Sequence, residues 1–392
     1  MTERAVYALL ALVLTLAGVV TVYTASYPTL ISSGLPAETE MLRQAGVGFA
    51  GLAAAAIMWR FLPERALRGK WLLAWWAVLM ALLLAVGVMG AAEGGARRWL
   101  PLGPISFQPS ELAKPVLTLC AADAIALWKE GRIDGKWCLL LIGLAAIPPL
   151  VIICVPQSDM GTAVICVVGM LAAAWFGGAP KRVLAATLAL GVAFGLVAIN
   201  MEGYRANRIA EFAAAAAGDG DASGAGYQAA RALYALAAGG FFGSGLDGSK
   251  EKFSYLPEAD TDYIFAVIGE EGGFIGCMLV IAAFAILLYV GLRISEKAHG
   301  GFAGMVTAAL PAITAFQAYL NIGCVIGLIP PTGKPLPFFS YGGTSLLATL
   351  LLAGIVLALS RADEEWVRYE CENRRRRLRV TTRVNGHRRA HR

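Results

Sequence analysis

The chain has 392 residues, of which 58% are hydrophobic and only 15% charged, and its mean hydropathy is +0.64. That composition excludes an ordinary soluble domain and points to a polytopic membrane protein. The formal charge of +6 comes mostly from residues 362–392, where ten Arg face five Asp and Glu; no nucleic-acid-binding fold accompanies those arginines. Seven cysteines without a CxxC pair and only three histidines point away from disulfides, structural zinc and haem.

A hydrocarbon core about 30 Å thick takes roughly 20 apolar residues per helical crossing. Ten such runs follow one another, at 6–26, 43–62, 71–91, 110–128, 137–155, 160–178, 183–200, 263–293, 302–328 and 343–361. They are continuous, not alternating, so the expected fold is an all-α polytopic membrane protein of ten transmembrane helices. The start, MTERAVYALL, reads as a retained signal anchor. With the N-terminus in the cytoplasm, alternate loops place 23 of the 33 Lys and Arg inside, so both termini are expected to be cytoplasmic. Residues 1–361 form the membrane domain and 362–392 a basic tail. Its NRRRRLR run serves as a topology determinant or meets anionic headgroups, at about 1 kcal/mol per basic residue.

The unusual polar residues fall in loops after odd-numbered spans, and hence on one face. After span three comes GARRWLPLGPISFQPSELAKP. Arg97 and Arg98 stand there as interfacial anchors or phosphate contacts. Ser110 reads as a helix N-cap, with Glu111 and Lys114 three apart on one helix face. In VPQSDMGTA, Gln157 and Asp159 are held near the interface, and Asp159 could equally cap span six. The longest outer loop, about 201–262, holds Arg205 in YRANRI and a small-residue run. Its segment from Tyr227 to Gly240 has helix-like apolar spacing. Between spans nine and ten, GLIPPTGKPLPFFSYGGTS has too much proline and glycine for a continuous helix. Irregular backbone at membrane depth survives only where it is buried or lines a cavity. A re-entrant segment projecting Lys334 into a substrate cleft is expected.

The stretches GARRWLPLGPISFQPSELAKP, PQSDMGTA, GYQ, YLPEADTDYIFAVIGEEGGFIG and NIGCVIGLIPPTGKPLPFFSYGGTSLL run in order from about residue 95 to 348. In them the chain resembles the SEDS (shape, elongation, division and sporulation) family of peptidoglycan glycosyltransferases. It is most similar to the division member, with the elongation and sporulation members the near alternatives. The resemblance implies polymerisation of lipid II into glycan strands at the outer face of the bacterial cytoplasmic membrane, at the division septum, releasing undecaprenyl diphosphate. It implies Asp262 as the catalytic aspartate. It also implies a class B penicillin-binding protein with a single membrane anchor as transpeptidase partner, among other divisome proteins. A lipid II flippase and a division-site scaffold are the rival readings.

The residues suit that chemistry. An attacking sugar hydroxyl needs a base within hydrogen-bond reach, and Asp262 stands where the outer loop enters span eight. A diphosphate leaving group needs cations, not an acid; Arg97, Arg98, Lys114, Arg205, Lys334 or a divalent Mg2+ or Mn2+ ion could supply them, and no organic cofactor is expected. Gln157, Asp159 and Ser340 join these as substrate contacts. Glu258 and Asp260 could hold a metal with Asp262. Glu270 and Glu271 lie about 12–13 Å deeper along a straight helix, at ~1.5 Å per residue, and read with Glu111 as structural.

Overall fold

The computed structural model describes residues 2–361, except 94, 95, 103, 104, 254, 299 and all but isolated positions of 182–223. The seventh expected span, the outer loop up to residue 223 with Arg205, and the tail 362–392 lie outside the described residues.

Helices α1 (Glu3–Ser32) and α2 (Thr39–Phe61) form an antiparallel pair, and a 3-10 turn, Glu64–Leu67, leads into α3 (Gly69–Met89). There follow α4 (Ser110–Lys129), α5 (Gly135–Cys154), α6 (Met160–Phe176) and α7 (Gly224–Gly239). Then come α8 (Ile264–Lys297), α9 (Gly301–Val325) and α10 (Gly343–Arg361). Seven of them, α1, α2, α3, α5, α8, α9 and α10, are long and apolar enough to cross a membrane. The fold is therefore that of a polytopic, mostly helical membrane protein. Helix α6 has only 17 residues, and α4 carries Glu111, Lys114 and Asp123 among its apolar side chains.

Burial separates a core from a rim. Helix α9 packs on α8, α6 and α4, and nearly all of its side chains are enclosed. By contrast α2, α3 and α5 present large apolar side chains outward, such as Phe49, Leu73, Val88 and Ile147. Hydrocarbon facing lipid explains such exposure, which water would penalise. Small residues let backbones approach: α1 lies so close to the 326–342 segment that a Cβ at Gly18 would collide with the Phe338 carbonyl.

The two ends of the bundle differ. At one, Lys297 pairs with Glu3, Arg68 reaches Asp123, Glu130 and Glu64, and Arg361 donates to the Arg60 carbonyl. The other end gathers the α1–α2 turn, the start of α10, and the segments around 98, 159, 262 and 334.

Two expectations are corrected here. The link between α3 and α4 is not a plain loop in an all-α chain. It is a three-stranded antiparallel sheet of β1 (Ala91–Glu93), β2 (Ala96–Leu102) and β3 (Ile105–Phe107), with Leu100 opposite Phe107 and Leu102 opposite Ile105. The strands are too short to show an alternation in sequence, yet pairing satisfies backbone groups that no helix serves.

The eighth span, moreover, is not straight. Helix α8 has 34 residues, about 50 Å of helix at 1.5 Å per residue, far more than a bilayer core needs. It breaks at Gly273, where φ is 63° and ψ is −163°. The freed groups are met by the segment after α7: Ser244 N–H donates to the Glu270 carbonyl and Gly245 N–H to that of Glu271. In return Phe274 N–H donates to the Gly240 carbonyl and Ile275 N–H to that of Phe241. The break lies beyond Glu270 and Glu271, so it does not alter their spacing from Asp262 along the first part of the helix.

Candidate functional site

Asp262 sits in the last turn before α8, two residues ahead of Ile264, and is partly buried. Three successive carbonyls of its loop are taken by donors from the C-terminal quarter of the chain. Tyr341 N–H donates to the Asp260 carbonyl at 2.8 Å, Ser340 Oγ to that of Thr261 at 2.5 Å, and Asn321 Nδ2 to that of Asp262 at 2.7 Å. The same Asn321 amide donates to the Lys334 carbonyl at 2.9 Å. Gly333 lies against the aspartate: a Cβ built there would stand 3.5 Å from Asp262 Oδ2. Ser340 is thus a bracket, since its Oγ also accepts from Leu336 N–H and its carbonyl accepts from Gln44 Nε2. The expected irregular segment is present: residues 326–342 contain no helix, yet Lys334, Leu336, Phe338, Phe339 and Ser340 are buried.

Beneath this loop lies a buried polar layer. Asp159 caps α6, accepting from Thr162 N–H, and its carboxylate meets Lys334 Nζ at 2.6 Å. Gln108 Nε2, Ser110 Oγ and Thr162 Oγ1 donate to the same carboxylate. Burial would raise the Asp159 carboxyl, but the Lys334 charge and hydrogen bond, with help from Arg98 and Thr162, hold it well below the usual carboxylate range. The lysine stem runs along Gly161, where a Cβ would overlap it. Lys114 pairs with Glu111 at 2.6 Å and donates to Gln317 Oε1 at 2.8 Å, while Gln317 Nε2 holds the Pro335 carbonyl. Ser110 is not the N-cap of α4; Pro109 occupies that position, which frees the Ser110 hydroxyl for Asp159.

The cations proposed for a leaving diphosphate therefore divide. Lys114 and Lys334 are enclosed in ion pairs, with residue exposures of 1% and 4%, so Lys334 does not project into an open cleft. Arg98 is half-buried and spends its fork on the carbonyls of Gln157 and Ser158, at 2.8 Å each. Gln157 itself is buried, its Nε2 on the Leu83 carbonyl. Arg97 is exposed at this end of the bundle.

The acidic cluster is dispersed as well. Among the described residues no three His, Cys, Asp or Glu side chains form a metal-holding group, so Glu258, Asp260 and Asp262, which could have held a metal together, are not gathered into one. Glu258, at φ 56°, accepts from Thr261 Oγ1. Asp260 turns to Glu40 of α2, and burial pushes its carboxyl up, with the Glu258 charge adding to the effect and the Glu40 hydrogen bond opposing it. Glu270 accepts from Ser249 Oγ, Lys250 N–H and Glu251 N–H. Glu271 pairs with Lys252, which also meets Asp247. Both glutamates fasten the segment after α7 to the break in α8.

Sequence reading missed Glu40, Gln44, Gln108, Gln317 and Asn321. The signal was available for the last two, as amides four apart in an apolar helix, where unpaired polar groups are costly.

A bundle of long apolar helices with buried ion pairs and an aspartate loop crowded at one end defines a polytopic, mostly helical membrane protein. The chain belongs to the FtsW/RodA/SpoVE family of cell cycle proteins, whose model matches residues 4–365. It is 34% identical over 350 residues to the probable peptidoglycan glycosyltransferase FtsW of Synechocystis, an alignment covering 89% of this chain and 86% of that one. It is 36% identical over 286 residues to stage V sporulation protein E of Bacillus subtilis, covering 72% and 76%. With the probable peptidoglycan glycosyltransferase FtsW of Mycobacterium tuberculosis it shares 37% identity over 290 residues, 74% of this chain and 55% of that protein.

Among solved structures, the fold matches RodA of Thermus thermophilus with a TM-score of 0.66 at 25% identity, covering 91% and 95% of the two chains. It also matches a chain from a peptidoglycan synthase complex that coordinates polymerization and crosslinking, with a TM-score of 0.73 at 26% identity, covering 91% and 97%.

Proposed function

We propose that the Asp262 end of the bundle is where this protein, a peptidoglycan glycosyltransferase, joins lipid II units into glycan strands. The observation that carries the reading is the placement of Asp262. It stands on a loop held by three consecutive backbone brackets, beside the Lys334–Asp159 layer, at the end of the bundle away from Arg60, Arg68 and Lys297. In the transfer step the acceptor sugar's 4-hydroxyl attacks the anomeric carbon of the donor. The Asp262 carboxylate takes the hydroxyl proton as the new C–O bond forms. The bond from the anomeric carbon to the diphosphate breaks with inversion, and undecaprenyl diphosphate leaves with the electron pair.

Arg97 and Arg205 are the arginines proposed to meet that diphosphate. Lys114 and Lys334, being paired, act through the fixed field of their layer. The described residues offer no three-carboxylate cage for Mg2+ or Mn2+, and no step is routed through an ion. Ten spans, cytoplasmic termini and an outward-facing site at the septum complete the proposal, supported by the 23-to-10 excess of Lys and Arg assigned to the inner side. A single-anchor class B penicillin-binding protein supplies the transpeptidase.

The test is lipid II polymerisation by purified protein with its partner, divalent ions varied, comparing wild type with Asp262→Asn. Polymer from wild type and a loss of at least ~100-fold in the variant are expected, the usual scale for a missing general base. The broken α8 and the irregular 326–342 segment are also features of transporters. Translocation of lipid II across liposomes without polymer would establish that second reading and overturn the first.

A further inference from the structure

Helix α9 carries two amides four residues apart on one face, Gln317 and Asn321, and both are enclosed, at 2% exposure each. Gln317 fixes the Pro335 carbonyl and Asn321 the Lys334 carbonyl, so the irregular segment is fastened to α9 at two adjacent peptide units. Asn321 alone has a second duty. One side-chain nitrogen donates both to this segment and to the Asp262 carbonyl, at 2.9 and 2.7 Å. An amide nitrogen has two hydrogens, and both are used. Its oxygen, Oδ1, is buried and has no donor, an arrangement that folding alone disfavours. Neither carbonyl belongs to a helix or strand that would hold it otherwise, because residues 262 and 334 both lie in irregular backbone.

We infer that Asn321 is a positioning residue for glycosyl transfer: its amide sets the distance between the Asp262 loop and the Lys334 segment, and so aims the carboxylate at the reacting hydroxyl. Asn321 touches no reacting atom in this scheme. It acts through the Asp262 main chain, one residue before the α8 N-cap, Tyr263. The inference rests on the glycosyltransferase reading and deepens it.

The consequence is kinetic. Tyr341 and Ser340 still hold the carbonyls of Asp260 and Thr261 when Asn321 is changed, so the loop keeps its place in the fold. What is lost is the bracket at Asp262 itself. Misplacing a catalytic group by about 1 Å costs on the order of 100-fold in rate, whereas lipid II is held by the rest of the site.

The experiment compares wild type, Asn321→Leu and Asn321→Ala with Tyr319→Phe, each with the partner present. Tyr319 is on the same helix, and its hydroxyl donates to the Ile281 carbonyl, away from the site. Initial rates of lipid II polymerisation give kcat and KM, and thermal melts in detergent report folding. Expected for both Asn321 variants is a kcat reduced ten- to a hundredfold with KM within threefold of wild type, and for Tyr319→Phe an unchanged kcat. A kcat within twofold of wild type in Asn321→Leu overturns the inference. So does a loss of kcat that disappears once rates are divided by the fraction folded at the assay temperature. A wild type that makes no polymer sinks the glycosyltransferase reading first and this inference with it; an active wild type beside an equally active Asn321→Leu sinks the inference alone.

Discussion

Replacing Lys334 by Met removes an ammonium that meets Asp159 at 2.6 Å, where the two side chains are 3% and 1% exposed. The methionine stem can still lie along Gly161, so packing is nearly kept and the change is electrostatic. Breaking a buried ion pair from one side costs about 3–5 kcal/mol, because the partner's charge is left stranded. Asp159 keeps Gln108, Ser110 and Thr162 as donors, which places the expected loss near the lower bound, ~3 kcal/mol. Asp159→Asn in the Lys334→Met background leaves no stranded charge, so the double variant should be more stable than the single one. A double-mutant cycle on unfolding in detergent should return a coupling of about 2–3 kcal/mol. The sign with pH follows from the direction of the Asp159 shift. A lowered carboxyl contributes its stability fully above the ordinary aspartate value, near ~4, and loses it as pH falls through the lowered value. Wild type should therefore lose stability in acid faster than the double variant. Strictly additive costs, or a single variant within about 1 kcal/mol of wild type against the expected 3–5, would refute the buried-pair reasoning.

Other outcomes follow from the same geometry. Gly273→Ala places a side chain at φ 63° and against the main chain of Phe242 and Gly243. It should cost ~1–3 kcal/mol and open the 240–256 segment to proteolysis, whereas an unchanged cleavage pattern would count against the backbone staple. Asp260 is held above the ordinary aspartate value by burial, so its contribution is full below about pH 4 and declines as pH rises through the raised value. As pH rises above about 4, melting temperatures of Asp260→Asn should accordingly fall less than those of wild type; parallel curves would show that the Asp260 carboxyl is not raised.

Much of the molecule was readable without coordinates, and the reasons are local. A helix that must bury its backbone in hydrocarbon writes an uninterrupted apolar run, so α1, α2, α3, α5, α9 and α10 stand near their expected bounds. Glu111 and Lys114 could be paired from a spacing of three because the α-helix brings such residues together wherever it forms. Asp262 could be chosen because its neighbours form a long ordered motif. The sheet between α3 and α4 was hidden, since strands of three, seven and three residues carry too little pattern. The break in α8 was hidden too, because the caps for its freed groups come from residues 240–245, a separate part of the chain.

The partners of the lysines were out of reach for a deeper reason. Lys334 looked like an open cation because its own neighbours are prolines and glycines. Its counter-charge is on the cap of α6, and Thr162, which it also contacts, is 172 residues away. Lys114 meets Gln317 across 203 residues and Gln44 meets Ser340 across 296. By itself the sequence determined that this is a membrane-embedded helical glycosyltransferase of its family, and it singled out an aspartate ahead of one span as the residue proposed for the base. That much follows from hydropathy and contiguous motifs. Only the tertiary structure decided which charges are neutralised in pairs, that Arg97 is exposed while Lys114 and Lys334 are enclosed, and that Asn321 joins the two loops. Charge pairing depends on distance in space, and helix packing sets that distance between residues with no fixed relation along the chain.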